Sequence, residues 1–178
     1  MKTGKLLLII GVVTTMFYSC DNQPKLEVNE GINLADSISY YEKSLFGDNS
    51  KKIDRNDAVK LAGFYESYAL ENKQDTLAPY YLFKSADINM NMRRPRAAIK
   101  SFDIILKDYP DFEKAPSALF LKAFVFEDQL GDIVSASRFY RLFIEKYPDS
   151  DFADDAAISL KYLGKTPEEL IEEFEKNN

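Results

Sequence analysis

Apolar positions recur at three- and four-residue spacing along most of this chain, and polar breaks cut the pattern into helix-length segments. Residues 33–46 place Ile38, Tyr41 and Leu45 at i, i+3 and i+7, and Gly47-Asp48-Asn49-Ser50 ends that segment. After a polar loop at 51–54, a second helix is predicted over 56–72, opening at Asn56 or Asp57. Its apolar stripe is Val59, Leu61, Ala62, Tyr65, Tyr68 and Ala69. No hairpin dipeptide and no sustained period-two run occurs, so the expected class is all-α.

The next stretch is written twice. Ala-Pro-Tyr-Tyr-Leu-Phe-Lys-Ser-Ala (78–86) returns as Ala-Pro-Ser-Ala-Leu-Phe-Leu-Lys-Ala (115–123), 37 residues on. The segment at 96–111, ending Tyr-Pro-Asp, returns at 134–149 with a spacing of 38. The extra residue is expected in the turn between the two helices of the second copy. Pro79 and Pro116 sit at or near a first helical position, where the missing N–H costs nothing. Pro110 and Pro148 end the second helix of each copy, because proline disfavours helical backbone at the residue before it. A third, looser copy runs from Ala153 to Leu163 and stops at Gly164. Thr166-Pro167-Glu168-Glu169 then opens a last helix to Lys176, with Thr166 as N-cap and Glu169 closing a capping box.

A period of this length marks a stacked helical array. Counted from Pro79, the first copy has Leu82, Ala86, Ala98, Phe102, Ile105 and Pro110 at positions 4, 8, 20, 24, 27 and 32. The second has Leu119, Ala123, Ala136, Tyr140, Phe143 and Pro148. This order of large, small, small, large and a closing proline resembles the tetratricopeptide repeat (TPR) family. The resemblance covers 55–176 closely and 33–54 more loosely. It implies a right-handed α-solenoid of about eight helices over residues 32–178.

Composition narrows the chemistry. The formal charge is −6 and the sequence pI about 4.8, which argues against a nucleic-acid partner, since phosphate binding needs clustered Lys and Arg. There is no His and one Cys, Cys20, so the usual neutral-pH acid/base, a disulfide framework and a zinc cluster are all missing. No cofactor, metal or catalytic residue is expected, and the sequence leaves the oligomeric state open.

The N-terminus has Lys2 and Lys5, an apolar run over 6–17, then Tyr-Ser-Cys at 18–20. The run is too short to span a bilayer and suits a leader peptide. The arrangement resembles a bacterial lipoprotein signal: residues 1–19 removed, Cys20 lipidated, and 20–31 a polar tether. A lipid there anchors a protein without a transmembrane helix. The expected site is the cell envelope, with attachment to a membrane, the periplasmic face of the outer membrane being favoured.

In the TPR family the first helix of each unit lines a concave face. Carried over, that implies a partner surface of Tyr80, Phe83, Asp87, Met90 and Asn91, then Ser117, Phe120, Phe124, Glu127 and Asp128, then Asp155, Ile158 and Tyr162. The aromatics suit an apolar peptide face and the acids a basic one. The competing expectation is that the aromatics pack between helices. Asp149, Asp151, Asp154 and Asp155 lack calcium-loop spacing and read as caps of the helix near 152. Arg93, Arg94 and Arg96 read as a solvated turn. The implied function is an envelope adaptor or scaffold for protein or peptide partners. Likeness to TPR lipoproteins of outer-membrane assembly suggests an accessory role there, with a periplasmic coordinator of cell-wall or Tol-type machinery as the alternative. A hydrolase using the Asp149–Asp155 carboxylates is the reading from another class.

Overall fold

A computed structural model describes residues 33–47 and 54–176. The leader at 1–19, Cys20, the tether at 20–31 and most of the 51–54 loop lie outside the described residues. Among those described there are eight α-helices and no strand: α1 (Leu34–Phe46), α2 (Arg55–Glu71), α3 (Ala78–Asn91), α4 (Pro95–Asp108), α5 (Ala115–Phe124), α6 (Ile133–Lys146), α7 (Ala153–Tyr162) and α8 (Pro167–Lys176). A π turn, Val125–Gln129, continues α5. From α1 to α7 each helix packs on the next in chain order, which makes the molecule an α-solenoid. None of the described helices is long and apolar enough to cross a membrane.

Three connections are built alike. Asp75 N–H donates to Asn72 C=O and Ala78 N–H to Asp75 C=O; the same two bonds join Tyr109, Phe112 and Ala115, and again Tyr147, Ser150 and Ala153. Each linker is six residues long. The first of them, Asn72–Leu77, has no Tyr-Pro, so the local signal that marks the other two is missing; Asn72 instead turns its side-chain amide onto Tyr68 C=O at 2.9 Å. The linker geometry therefore brings α2 into the array in full register.

That register fixes the core. Leu61, Ala98 and Ala136 occupy one equivalent position on α2, α4 and α6, and Tyr65, Phe102 and Tyr140 another; all six are buried. Ala98 and Ala136 at the first position let helices approach closely, α2 having the larger Leu61 there, while large rings at the second fill the groove between them. On α1, Leu34, Ile38 and Leu45 are buried with Tyr41 beside them. On α2, Phe64 is buried and Val59 only half-buried, so the stripe lies slightly round the helix from the expected one.

The helix starts follow ordinary capping rules. Asn33 accepts from Ala35 N–H at 3.0 Å. Asp54 accepts from Asn56 and Asp57 N–H at 2.8 and 3.0 Å, so α2 opens two residues before the expected Asn56. The capping box of α8 is present: Thr166 N–H donates to Glu169 Oε2 at 2.8 Å and Glu169 N–H to Thr166 Oγ1 at 3.2 Å.

Two expectations are corrected and a third is sharpened. First, the extra residue of the second copy is not in the turn. The turns are equal, 92–94 and 130–132. The insertion is absorbed within the first helix as the π turn, where Leu130 N–H reaches Val125 C=O at 3.2 Å. Arg93 (φ 54°) and Gly131 (φ 61°) then take the same left-handed position after their helices. Second, the arginine turn is not merely solvated. Arg93 pairs with Asp128 at 3.0 Å, Arg94 donates to Asn89 Oδ1 at 3.1 Å, and Arg55 on α2 donates to Met92 C=O. Third, the expected capping by aspartates near 152 holds through the helix dipole and not through a side-chain hydrogen bond. Phe152 is the N-cap of α7 and has no side-chain cap; Asp154 and Asp155 lie in the first turn, where they meet only the positive end of the helix dipole.

Candidate functional site: the first-helix face

The alternation of the array puts α3, α5 and α7 on the same side of successive units. On α3 the exposed ridge is Tyr80, Lys84, Asp87 and Asn91, at i, i+4, i+7 and i+11, one side of a 3.6-residue helix. The same steps on α5 give Ser117, Leu121, Phe124 and Asp128, of which the last two are exposed. On α7 they give Asp154, Ile158 and Lys161, all exposed.

The expected surface residues divide by what they touch. Tyr80 is 38% exposed and Phe124 37%, and Ile158 is the barest at 55%. Tyr80 stands edge-on to Phe112 at 4.8 Å, and a hydrogen bond to Glu113 holds its phenol above the ordinary value. Asp87 is exposed and accepts from Asn91 Nδ2 at 3.1 Å. Asp128 is exposed within its Arg93 pair. Tyr162 is half-buried, with Lys161 and Lys165 ammonium groups 4.9 and 5.3 Å from its ring centre.

The others face inward. Phe83 is half-buried against Phe102 (6.1 Å) and Phe112 (6.5 Å), with Lys114 over its ring. Phe120 touches Tyr140 and Phe143, both at 5.7 Å, and stacks on Phe152 at 5.2 Å. Met90 packs against the central core. Glu127 is turned onto α6, where it accepts from Tyr140 Oη at 2.7 Å.

The π turn explains Glu127. One residue added inside α5 rotates everything after it by about 100°, so counting from the helix end aligns Asp128 with Met90 and Glu127 with Asn89. Asn89 is buried where Glu127 is half-buried, and it donates to Ser85 C=O at 2.9 Å. Next along, Gln129 Nε2 crosses to Met90 C=O at 2.9 Å. The π turn thus swings a glutamate off the face and ties α5 to α3.

Sequence reasoning missed Lys84. Its ammonium lies 2.8 Å from Glu42 on α1 and 5.3 Å from the Tyr65 ring centre. Burial works to raise the Glu42 pKa, but the hydrogen bonds from Lys84 and Tyr65 outweigh it and hold the carboxyl below its ordinary value. This pairing spans 42 residues, and no local spacing rule reaches that far. Asp87, Asp154 and Asp155 have no ion-pair partner among the described residues, so the face carries acid where it is bare. Among the same residues no group of three or more His, Cys, Asp or Glu side chains is placed to hold a metal.

The family model of the tetratricopeptide repeat matches residues 80–111 and 117–150. The pairs α3/α4 and α5/α6 are therefore two such repeats, and α2 and α7 flank them in the same packing order. No curated protein and no solved structure matches the chain.

Proposed function

We propose, from these two tetratricopeptide repeats, that the protein is an adaptor that holds protein or peptide partners on its first-helix face. The observation that carries this is the exposure of Tyr80, Phe124 and Ile158 on three successive first helices, with Asp87 and Asp155 exposed beside them. A face of spaced apolar anchors and bare carboxylates fits a segment that alternates apolar and basic side chains. The lipoprotein-like leader supports attachment through Cys20 to a bacterial envelope membrane, and the best-specified partners are envelope proteins, with an accessory role in outer-membrane protein assembly.

Two experiments test the parts separately. Tyr80→Ala with Phe124→Ala removes two half-open rings, neither of which belongs to the fully buried core. Helicity is expected to stay intact while cross-linking of a partner in cells falls at least about tenfold; undiminished cross-linking refutes the groove. Cys20→Ala is expected to release the protein from the membrane fraction, and full retention refutes the anchor.

A further inference from the structure

The second helices carry a charge pattern that the first-helix face does not use. On α6, Val134, Ser137, Arg138, Arg141, Leu142 and Glu145 line an open depression of about 560 Å³. Val134, Arg138, Arg141 and Glu145 are spaced by four, three and four, so they form one stripe. Val134 is 82% exposed. Neither arginine has an ion-pair partner among the described residues. Arg138 lies over the Phe139 ring at 5.1 Å and Arg141 Nε meets Ser137 Oγ at 3.4 Å. Val134, Arg138 and Arg141 thus stand open as an apolar and cationic stretch, with Glu145 at its far end, in a chain of formal charge −6.

The chain also carries the complement. On α8, Glu168, Ile171, Glu172 and Glu175 share one side of the helix and all are exposed, Ile171 at 58%. Lys176 is the only cation of that helix, against five glutamates. In chain order α8 follows α7 as α6 follows α5.

We infer that this second-helix face is a homodimer interface, in which α6 of one copy receives α8 of a second copy and the reverse. A two-fold axis between the stripes lays basic on acidic twice over, the self-complementary arrangement that closed dimers use. Val134 and Ile171 supply an apolar centre, and Arg138 and Arg141 face Glu168 and Glu172. A foreign acidic helix would match α6 alone and leave Ile171 and its glutamates bare; a second copy covers both.

Sedimentation velocity on the full chain tests this, with Cys20→Ser to prevent lipid addition and disulfide-linked pairs, in mild detergent. Over about 1 to 200 μM the protein is expected to show a monomer–dimer equilibrium, as a small polar interface should. Raising salt from about 0.05 to 0.5 M shortens the screening length and shifts it toward monomer. Arg138→Glu/Arg141→Glu and Glu168→Arg/Glu172→Arg are each expected to weaken self-association at least about a hundredfold, by opposing like charges. An equimolar mixture of the two variants restores the dimer, because each reversed stripe then meets its opposite. A wild type that stays monomeric, a reversed variant that dimerises like wild type, or a mixture that stays monomeric overturns the proposal.

Discussion

Position 24 of the repeat is Tyr65, Phe102 and Tyr140 in successive units, and the hydroxyl makes a sharp test of how the array is held. Tyr140 is fully buried and donates to Glu127 at 2.7 Å; Tyr65 donates to Glu42 at 2.5 Å. Burial first, then the hydrogen bond to the carboxylate, pushes both phenols well above their ordinary value. The middle unit has no such pair. Where α5 has Glu127, α3 has Asn89, whose amide is already committed to Ser85 C=O and Arg94. Tyr140→Phe therefore removes the hydrogen bond to the charged Glu127, together with the one to Ser159, without opening a cavity, and about 1.5–3 kcal/mol is expected to be lost. Phe102→Tyr does the opposite: it places a hydroxyl at a site with no exposure and no free carboxylate, and it too is expected to destabilise, by about 1–3 kcal/mol. Urea unfolding followed by circular dichroism measures both, and a double-mutant cycle of Tyr140→Phe with Glu127→Gln is expected to give coupling of at least about 1 kcal/mol. If Tyr140→Phe is neutral within about 0.5 kcal/mol, or Phe102→Tyr stabilises, the account of these two tyrosines is wrong.

Two further outcomes are expected. Gly131 has φ 61° and open space where a Cβ would stand, so Gly131→Ala costs conformational strain alone, about 1 kcal/mol by thermal unfolding; no loss would mean the turn relaxes. The second concerns acid. Leu77 N–H and then Tyr68 hold Asp75 below its ordinary 3.8, and the Ser135 hydroxyl does the same for Asp132; Glu42 is held below its ordinary 4.5. Carboxyls with depressed folded values stabilise the fold above their unfolded values and lose that contribution as pH falls through the folded ones. Tm should be level from neutral pH down to about 5 and fall below about 4, with Asp132→Asn shallowing the fall; a profile unchanged by that substitution contradicts the Asp132 assignment.

What the sequence made legible was local. The doubled Ala-Pro and Tyr-Pro signals mark four helices because proline acts on its own neighbours, and Thr166 with Glu169 is a cap complete within four residues. The α2–α3 linker was not legible, since Asn72–Leu77 makes the bonds of a Tyr-Pro linker from different residues. The extra residue was visible as a count and not as a place: turns usually take insertions, but here the helix took it, and Glu127 left the expected face as a result. The Arg93–Asp128 and Lys84–Glu42 pairs join different units, and no spacing in the chain announces them. The burial of Phe83 and Phe120 depends on rings contributed by Phe112 and Phe152 in the linkers, whose aim only the folded connections decide.

Those connections have a further consequence. Asn72–Leu77, Tyr109–Lys114 and Tyr147–Phe152 close with the same pair of backbone bonds, so the three joints share one backbone pattern although their side chains differ. The segment from Ala78 to Lys114 is in effect a modular part: a second copy of it spliced after Lys114 is joined by a linker with the same backbone bonds. The reach of the first-helix face is then a matter of how many parts the gene encodes, and it can be lengthened without redesigning either end.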